Sequence, residues 1–524
     1  MLRTELYADP RGIFVHDLVA CAAERFGELT AIVDTSCQPE RRISFAEYAD
    51  VVTRVARGFI SANVKPGDVI AIFLPNSWEF CAAYHAATRA GAIPTLINPS
   101  YRERELRYQL EASGASVLIT DGSLLSGVDL SGLPKLRSVY VTRSPASGAQ
   151  AFGSLLSSSS QPLPALDADT RLTLAALPFS SGTTGLPKGV MLTHSNLVSN
   201  VYQLLGPNAG PQALYERVLC FLPLYHIYGL NVALNPAFVL GMTLVLMPRF
   251  DLVRALHWIR TEEITFLPCV PPILNAFVQA AEKGEFPSDH KVRFVKSGAA
   301  PLAAELARLF TAQTGIPIIQ GYGMTEASPV THVGVLAGPL AKPESIGLPV
   351  AKTDCRVVDL QSGNETDGPG ELVMRGPQFM LGYWNSPEAT NDVLRDGWYW
   401  SGDIVTRDEL GLFNIVDRRK EMIKYKGFPV APAEIEAVLM EHPAVRDCGV
   451  VGRPDREAGE IPCAFVVLRE GYAETEKQGR DICGFVGERL TSYKQPRDLR
   501  FITAVPRNPS GKILRRKLRE QLES

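Results

Sequence analysis

The chain has 524 residues, 46% hydrophobic and 21% charged, which is enough apolar content for one large domain plus a smaller one. Its formal net charge of −3 supplies no basic field to hold nucleic acid or an anionic membrane. Nine singly placed cysteines without Cys-x-x-Cys exclude a readable zinc knuckle or redox pair and point to reduced thiols in cytoplasm. No apolar run is long enough for a signal peptide or a membrane span, and Leu522-Glu523-Ser524 is not a peroxisomal address. The sequence leaves monomer and homodimer open.

Up to about residue 170, short apolar runs alternate with amphipathic stretches. The run 69–74 is apolar and β-branched and predicts a buried strand. Pro75-Asn76-Ser77 punctuates it, and 78–90 predicts a helix closed by Gly91. Runs 93–97 and 117–120 predict further strands, so a parallel sheet covered by helices is expected. The stretch 144–164 is rich in Ser, Gly and Pro and reads as an exposed linker. A strand is predicted at 172–177. Ser195-Asn196 can cap a helix carrying Leu197, Val198, Val201 and Leu205. Strands are predicted at 243–247, 264–267, 292–296 and 316–320, with a helix at 252–261. Beyond Gly370 the strand-like runs shorten, at 371–374 and 412–416. From Asp417 onward the pattern is strand, helix, strand, strand, helix and a basic tail, a small α+β domain.

Leu177-Pro178-Phe179-Ser180-Ser181-Gly182-Thr183-Thr184-Gly185-Leu186-Pro187-Lys188-Gly189 follows the 172–177 strand. Glycines allow close backbone approach, hydroxyls donate, and Lys188 adds charge, a combination suited to polyphosphate oxygens. It is not a Walker A loop, because Pro187 precedes the lysine and Gly189 follows it. Gly298-Ala299 and Gly321-Tyr322-Gly323 each end a predicted strand, where open α/β sheets bind ligands. Taken alone, the second loop fits a plain Gly-rich strand exit equally well.

Ser180 to Gly189 resembles the phosphate-loop signature of the adenylate-forming superfamily, which groups acyl-CoA synthetases, adenylation domains and luciferases. The likeness continues in family order over nearly the whole chain. It makes Ser180, Ser181, Gly182, Thr183, Thr184, Gly185 and Lys188 nucleotide-binding residues. Gln320-Gly321-Tyr322-Gly323-Met324-Thr325-Glu326 resembles the adenine loop in the form of the 4-coumarate–CoA ligases. By that likeness Tyr322 packs on adenine, Thr325 holds the α-phosphate and Glu326 carries Mg²⁺. Ser401-Gly402-Asp403 resembles the family's Thr-Gly-Asp, whose aspartate takes the ribose hydroxyls. In the run 417–428, Arg418 matches a ribose contact, Lys420 the hinge, and Lys426-Gly427 residues facing the CoA tunnel. The ligases carry Gln where this chain has Pro429, which offers neither side-chain amide nor N–H. The run 506–516 resembles the catalytic-lysine loop and makes Lys512 the cation bridging carboxylate and α-phosphate. Pro223 to Asn231 resembles the histidine loop, with His226 near the acyl carboxylate.

The acyl pocket implied by the resemblance comprises His226, Ile227, Tyr228, Asn231, Pro268, Lys296, Gly298, Ala299, Gly321, Gly323, Pro329, Val330, Thr331 and His332. Gly321 and Gly323 are expected to leave a flat slot for an aromatic ring. Thr331 and His332 are more polar than expected there and point to a hydroxyl- or amino-bearing ring. The implied fold is α/β, a large N-terminal domain of layered, mostly parallel sheets with helices (1–419) plus a small mobile α+β C-terminal domain (420–524). The implied activity is an AMP-forming acid–CoA ligase using ATP, Mg²⁺ and coenzyme A, with Lys512, His226, Thr325 and Glu326 as catalytic residues. Its acid would be a cinnamate or a substituted benzoate. A medium-chain fatty acid, or loading of a carrier protein instead of CoA, are the alternatives.

Overall fold

A computed structural model describes residues 12–157, 162–163, 165–166, 168–180, 186–206, 214–336, 338–426, 428–507 and 511–522. Among these residues the strands form five sheets. In the strand Val69–Phe73 every residue is buried, because helices cover both faces of a parallel sheet. Period-two alternation splits it: Ile70 and Ile72 join the main core, while Val69, Ala71 and Phe73 join a second one. Its neighbours Ile93–Leu96 and Ala115–Thr120 pair with it in parallel. Each fully buried Val, Leu, Ile or Phe adds about 1.5–3 kcal/mol of burial free energy.

The nine-stranded sheet carries the site. Thr30–Asp34, Thr243–Leu246, Arg217–Cys220, Phe266–Cys269, Phe294–Ser297 and Ile318–Gly323 form its parallel centre. Arg41–Ser44 adds antiparallel at one edge, and Val330–Val333 followed by Leu348–Pro349 at the other. The central strands therefore deliver their following loops to one edge. A short sheet beside it pairs Lys188–Thr193 with Phe179–Ser180, Leu174–Ala176 and Gly382–Tyr383. A five-stranded sheet built around Gly370–Arg375 and Trp398–Arg407 follows. All of its ladders are antiparallel.

Residues 423–518 gather two smaller hydrophobic clusters of their own, apart from the cores that end at Phe413. They centre on the hairpin Val445–Asp455 with Gly459–Leu468, flanked by the helices Pro432–Met440 and Glu476–Gly487. Ala433 N–H donates to Asp417 Oδ2 at 2.8 Å, and Arg519 pairs with Glu421 at 2.6 Å. No helix among the described residues is long and apolar enough to cross a membrane.

Two expectations need correction. The helix His194–Gln203 is capped by Thr193, whose hydroxyl accepts from Asn196 N–H, while Asn196 Oδ1 accepts from Thr193 N–H. Asn196 is thus the reciprocal partner three residues in, and Leu205 lies past the helix end. The stretch 144–164 is not simply exposed. Phe152 and Leu155 are buried in the main core, and a Cβ on Gly58 would lie 2.5 Å from Leu155 O.

Candidate active site

The phosphate-loop stem is a two-stranded ladder in which Ser180 faces Lys188. Ser181, Gly182, Thr183, Thr184 and Gly185 lie outside the described residues. Tyr108 hydroxyl donates to Pro187 O at 2.8 Å, and Trp384 N–H donates to Gly189 O at 2.8 Å, so both flank the loop's exit. Gly189 packs under Leu177, Phe179 and Trp384, each of which would lie 3.1 Å from a Cβ there.

Glu326 sits in the short turn Thr325–Ala327 just past the 318–323 strand and is buried. Its Oε1 accepts from Ser180 Oγ at 3.1 Å and from Tyr383 hydroxyl at 2.9 Å. No cluster of three or more His, Cys, Asp or Glu able to hold a metal occurs among the described residues. A lone oriented carboxylate beside a phosphate loop fits Mg²⁺, which takes one or two carboxylates and completes its octahedron with phosphates and water.

Tyr322 hydroxyl donates to Asp403 Oδ2 at 2.5 Å, and Arg418 Nε donates to Asp403 Oδ1 at 3.1 Å. Burial foremost, then Asp403, pushes the Tyr322 phenol far up, so it remains a donor. Ser401 Oγ accepts from Asp403 N–H at 3.0 Å and donates to Leu372 O at 2.6 Å, so this hydroxyl frames the turn. Gln320 donates its side-chain amide to Pro343 O, and Met324 N–H donates to Pro329 O at 2.9 Å.

On the acyl side, His226 caps a short helix and its Nδ1 accepts from Tyr228 N–H at 3.2 Å. Burial, with the Lys512 cation nearby, lowers its imidazole to about 4. The ring is therefore neutral near pH 7, with the proton on Nε2. Asn76 holds this loop: its amide donates to Cys220 O and Leu222 O, and its Oδ1 accepts from Leu224 N–H. Tyr228 hydroxyl donates to Lys296 O at 2.8 Å. A Cβ on Gly298 would meet the Tyr228 ring at 3.2 Å, and one on Gly321 would meet the Lys296 stem at 3.8 Å. Pro268 lies beside Lys296 in the ladder, and Ala299 adopts a positive φ of 66°. Lys296 is fully buried, and that burial lowers its ammonium to about 7. Ile227, Pro329 and Val330 are buried around them.

Three expectations change here. Gly323 does not floor a slot: a Cβ there would lie 1.9 Å from Pro329 O, so glycine is required by a close backbone approach. His332 pairs with Tyr322 and its ring packs on Tyr322 and Phe413, with Cys355 Sγ 3.6 Å from Nε2. Its ring is thus committed to Tyr322, Phe413 and Cys355 rather than left open to an acid. Asn231 is equally committed, its Nδ2 donating to Leu197 O and Ser328 O and its Oδ1 accepting from Asn235. Thr331 hydroxyl contacts Tyr322 O at 3.4 Å and His332 Nδ1 at 3.0 Å.

Lys512 arrives from the small C-terminal unit. Gly511, at φ 84°, lets its turn approach Pro272 and Ala300, which a Cβ would meet at 3.2 and 3.9 Å. Burial first, then Arg418, brings the Lys512 ammonium down to about 8, while Asp403 and Glu326 pull it up. It is mostly protonated near pH 7 and shares one field with His226, Arg418, Asp403 and Glu326. Burial and Arg418 also lower Lys420, to about 8. Lys426 takes a positive φ of 48° and donates its N–H to Ala458 O, while Gly427 lies outside the described residues. Beside the His226 loop opens a cavity of about 200 Å³, lined by Asn76, Phe221, Pro223, Tyr225, Arg249 and Phe250 among others.

Tyr383, Tyr108 and Asn76 escaped sequence reasoning. Each acts through a partner far away in the chain, and none sits in a motif with chemistry of its own.

The model of the AMP-binding enzyme family matches residues 19–384, and that of the AMP-binding enzyme C-terminal domain matches residues 434–512. The chain is 40% identical over 491 residues to 4-coumarate–CoA ligase 5 of Oryza sativa subsp. japonica, covering 92% of this chain and 89% of the relative. Among solved structures, ATP-bound MatB from Rhodopseudomonas palustris superposes with a TM-score of 0.86 at 27% identity, covering 98% of this chain and 99% of the other. The anthranilate CoA ligase AuaEII in complex with anthranoyl-AMP gives 0.86 at 25% identity, covering 97% of both chains. The chain belongs to the AMP-binding enzyme family, within the adenylate-forming superfamily of acyl- and aryl-CoA synthetases.

Proposed function

We infer that this protein is an ATP-dependent acid–CoA ligase acting on a small aromatic carboxylic acid, a cinnamate or a hydroxy- or aminobenzoate. The observation that carries the reading is the convergence of Lys512, His226, Glu326, Asp403 and Arg418 at one sheet edge. In the first half-reaction a carboxylate oxygen attacks the α-phosphorus of ATP. The bond from that phosphorus to the bridging oxygen breaks and pyrophosphate leaves. Lys512 bridges the two anions and offsets their repulsion. His226 donates from Nε2 to the carboxylate. Asp403, already oriented by Tyr322 and Arg418, accepts the ribose hydroxyls. Thr325 holds the α-phosphate, and Glu326 would hold Mg²⁺, whose chemistry would be to neutralise phosphate charge.

In the second half-reaction the CoA thiol attacks the acyl carbon, the carbon–oxygen bond breaks, and AMP leaves with that oxygen. Residues 420–524 turn about Lys420 to withdraw Lys512 between the steps. The cavity flanking Tyr225, with Arg249 as its cation and Phe221 and Phe250 as its apolar walls, suits the adenine nucleotide end of CoA.

The names of the rice ligase and the anthranilate ligase support the aromatic substrate class. The test is a panel of cinnamates, benzoates and C6–C12 fatty acids with ATP, with and without CoA. Aromatic acids should release pyrophosphate fastest and yield thioesters with CoA. Octanoate outperforming every aromatic acid would overturn the substrate class, and pyrophosphate release without thioester would move the acceptor to a carrier protein.

A further inference from the structure

Three segments distant in sequence meet at Tyr383. Its strand, Gly382–Tyr383, pairs with the phosphate-loop stem, with Val190 opposite Tyr383 and Met191 opposite Gly382. Its hydroxyl donates to Glu326 Oε1 at 2.9 Å, the same oxygen that accepts from Ser180 Oγ at 3.1 Å. Its ring lies under the Lys188 ammonium, 5.4 Å from nitrogen to centroid. The surrounding backbone reinforces the grip: Met380 N–H donates to Glu326 O at 2.8 Å and Leu381 N–H to Met191 O at 3.0 Å. One side chain therefore touches both the cation at the loop's exit and the carboxylate facing its entrance.

We propose that Tyr383 is a positioning residue that sets Lys188 and Glu326 at the spacing a metal-bound polyphosphate requires. The proposal rests on the ligase reading above, because it takes Glu326 as the metal carboxylate and Lys188 as a phosphate cation. Two donors on a single oxygen hold the Glu326 carboxylate in one orientation. The ring attracts the ammonium through its negative face and keeps it over the loop. Burial, with Glu326 adding to it, pushes the phenol far above its ordinary value, so the hydroxyl stays a neutral donor through any working pH. Tyr383 contacts Glu326 and Lys188 rather than Asp403 or His226, so its effect is expected at the polyphosphate step.

The test compares Tyr383→Phe, which keeps the ring over Lys188, with Tyr383→Leu, which removes ring and hydroxyl, and with Glu326→Gln. Calorimetry measures binding of Mg·ATP and of AMP, and supplied acyl-AMP with CoA measures the second half-reaction. Loss of one hydrogen bond to a charged group should weaken Mg·ATP binding by about ten- to a hundred-fold in Tyr383→Phe. It should also raise the Mg²⁺ concentration needed for half-maximal pyrophosphate release. AMP affinity and thiolysis of acyl-AMP should stay at wild-type values, and Tyr383→Leu should lose more Mg·ATP affinity still. In the Glu326→Gln background, Tyr383→Phe should add less than about two-fold, because both act through one carboxylate. Wild-type Mg·ATP affinity in Tyr383→Phe, a parallel loss of AMP binding, or additive effects with Glu326→Gln would each overturn the proposal. A wild-type protein that binds neither Mg·ATP nor AMP would instead overturn the ligase reading beneath it.

Discussion

At the proposed nucleotide site, carboxylates are held by donors from distant segments. Asp403 takes donors from Tyr322 and Arg418, and Glu326 takes donors from Ser180 and Tyr383. Around the acid, polar groups are tied to the framework. Asn231 donates to two carbonyls, Tyr228 to Lys296 O, and Thr331 hydroxyl lies on Tyr322 O. The first arrangement presents oriented charge to a ligand whose charges are invariant. The second leaves mainly the shape of the pocket walls to distinguish one acid from another. The difference teaches that the reaction is set by charge placed across strand ends, while the choice of acid is left to volume. The acid can therefore change with few substitutions.

The largest break in this comparison should come from Lys512→Ala. Removing one preorganised cation should slow acyl-AMP formation by about a hundred- to a thousand-fold. Thiolysis of supplied acyl-AMP by CoA should survive, and an equal loss in both half-reactions would show that Lys512 acts structurally. Lys420→Pro probes the proposed motion of the C-terminal residues between the two half-reactions. Proline fixes φ, so acyl-AMP formation should persist while thioester formation falls by at least about ten-fold. Measuring each half-reaction alone decides it, and equal losses would place the hinge elsewhere.

Lys296→Met sharpens the acyl side through pH. Burial lowers this amine from 10.5 to about 7. Between those values the unfolded chain holds the proton and the folded chain does not, so this group's contribution to stability rises with pH across the window. Below about pH 7 both states are protonated and the full burial penalty applies. Relative to the methionine variant, the wild-type denaturation midpoint should therefore climb with pH from about 7 towards 10.5. Parallel profiles would mean Lys296 is not desolvated as placed.

The smallest effect belongs to Thr331→Val. The Thr331 hydroxyl already meets Tyr322 O and His332 Nδ1, so little of it remains for a ring substituent. The ratio of kcat/KM for cinnamate and 4-coumarate should move less than about three-fold. A shift of ten-fold or more would return the reading of the ring to Thr331.

Thr331 sits at an irregularity of its strand, where the register shifts between the His332–Tyr322 and Val330–Gly323 pairs, so simple alternation does not place its side chain. The ladder pairs His332 with Tyr322 and sends its ring to Phe413. Uniform apolar runs such as Val69–Phe73 were legible because both faces are covered. The helix Leu252–Thr261 was legible because its amphipathic pattern is bounded by the Asp251 cap. Phe152 and Leu155 were hidden by the Ser, Gly and Pro around them, since composition averages away two anchoring side chains. Motif residues of the site could be named from sequence because the chemistry sits in contiguous runs. Tyr383 could not, since its contacts with residues 188 and 326 form only once its strand pairs with the 188–193 strand. Gly323 looked like open space from sequence and is instead a backbone contact, a distinction only the direction of its missing Cβ reveals.

The most direct measurement of the ligase reading follows one oxygen. An aromatic acid labelled with ¹⁸O in its carboxylate is turned over with ATP and CoA, and the products are weighed by mass spectrometry. Attack on the α-phosphorus followed by thiolysis at the acyl carbon should leave one labelled oxygen in AMP and none in pyrophosphate. Label in phosphate or pyrophosphate, or ADP as the nucleotide product, would contradict it.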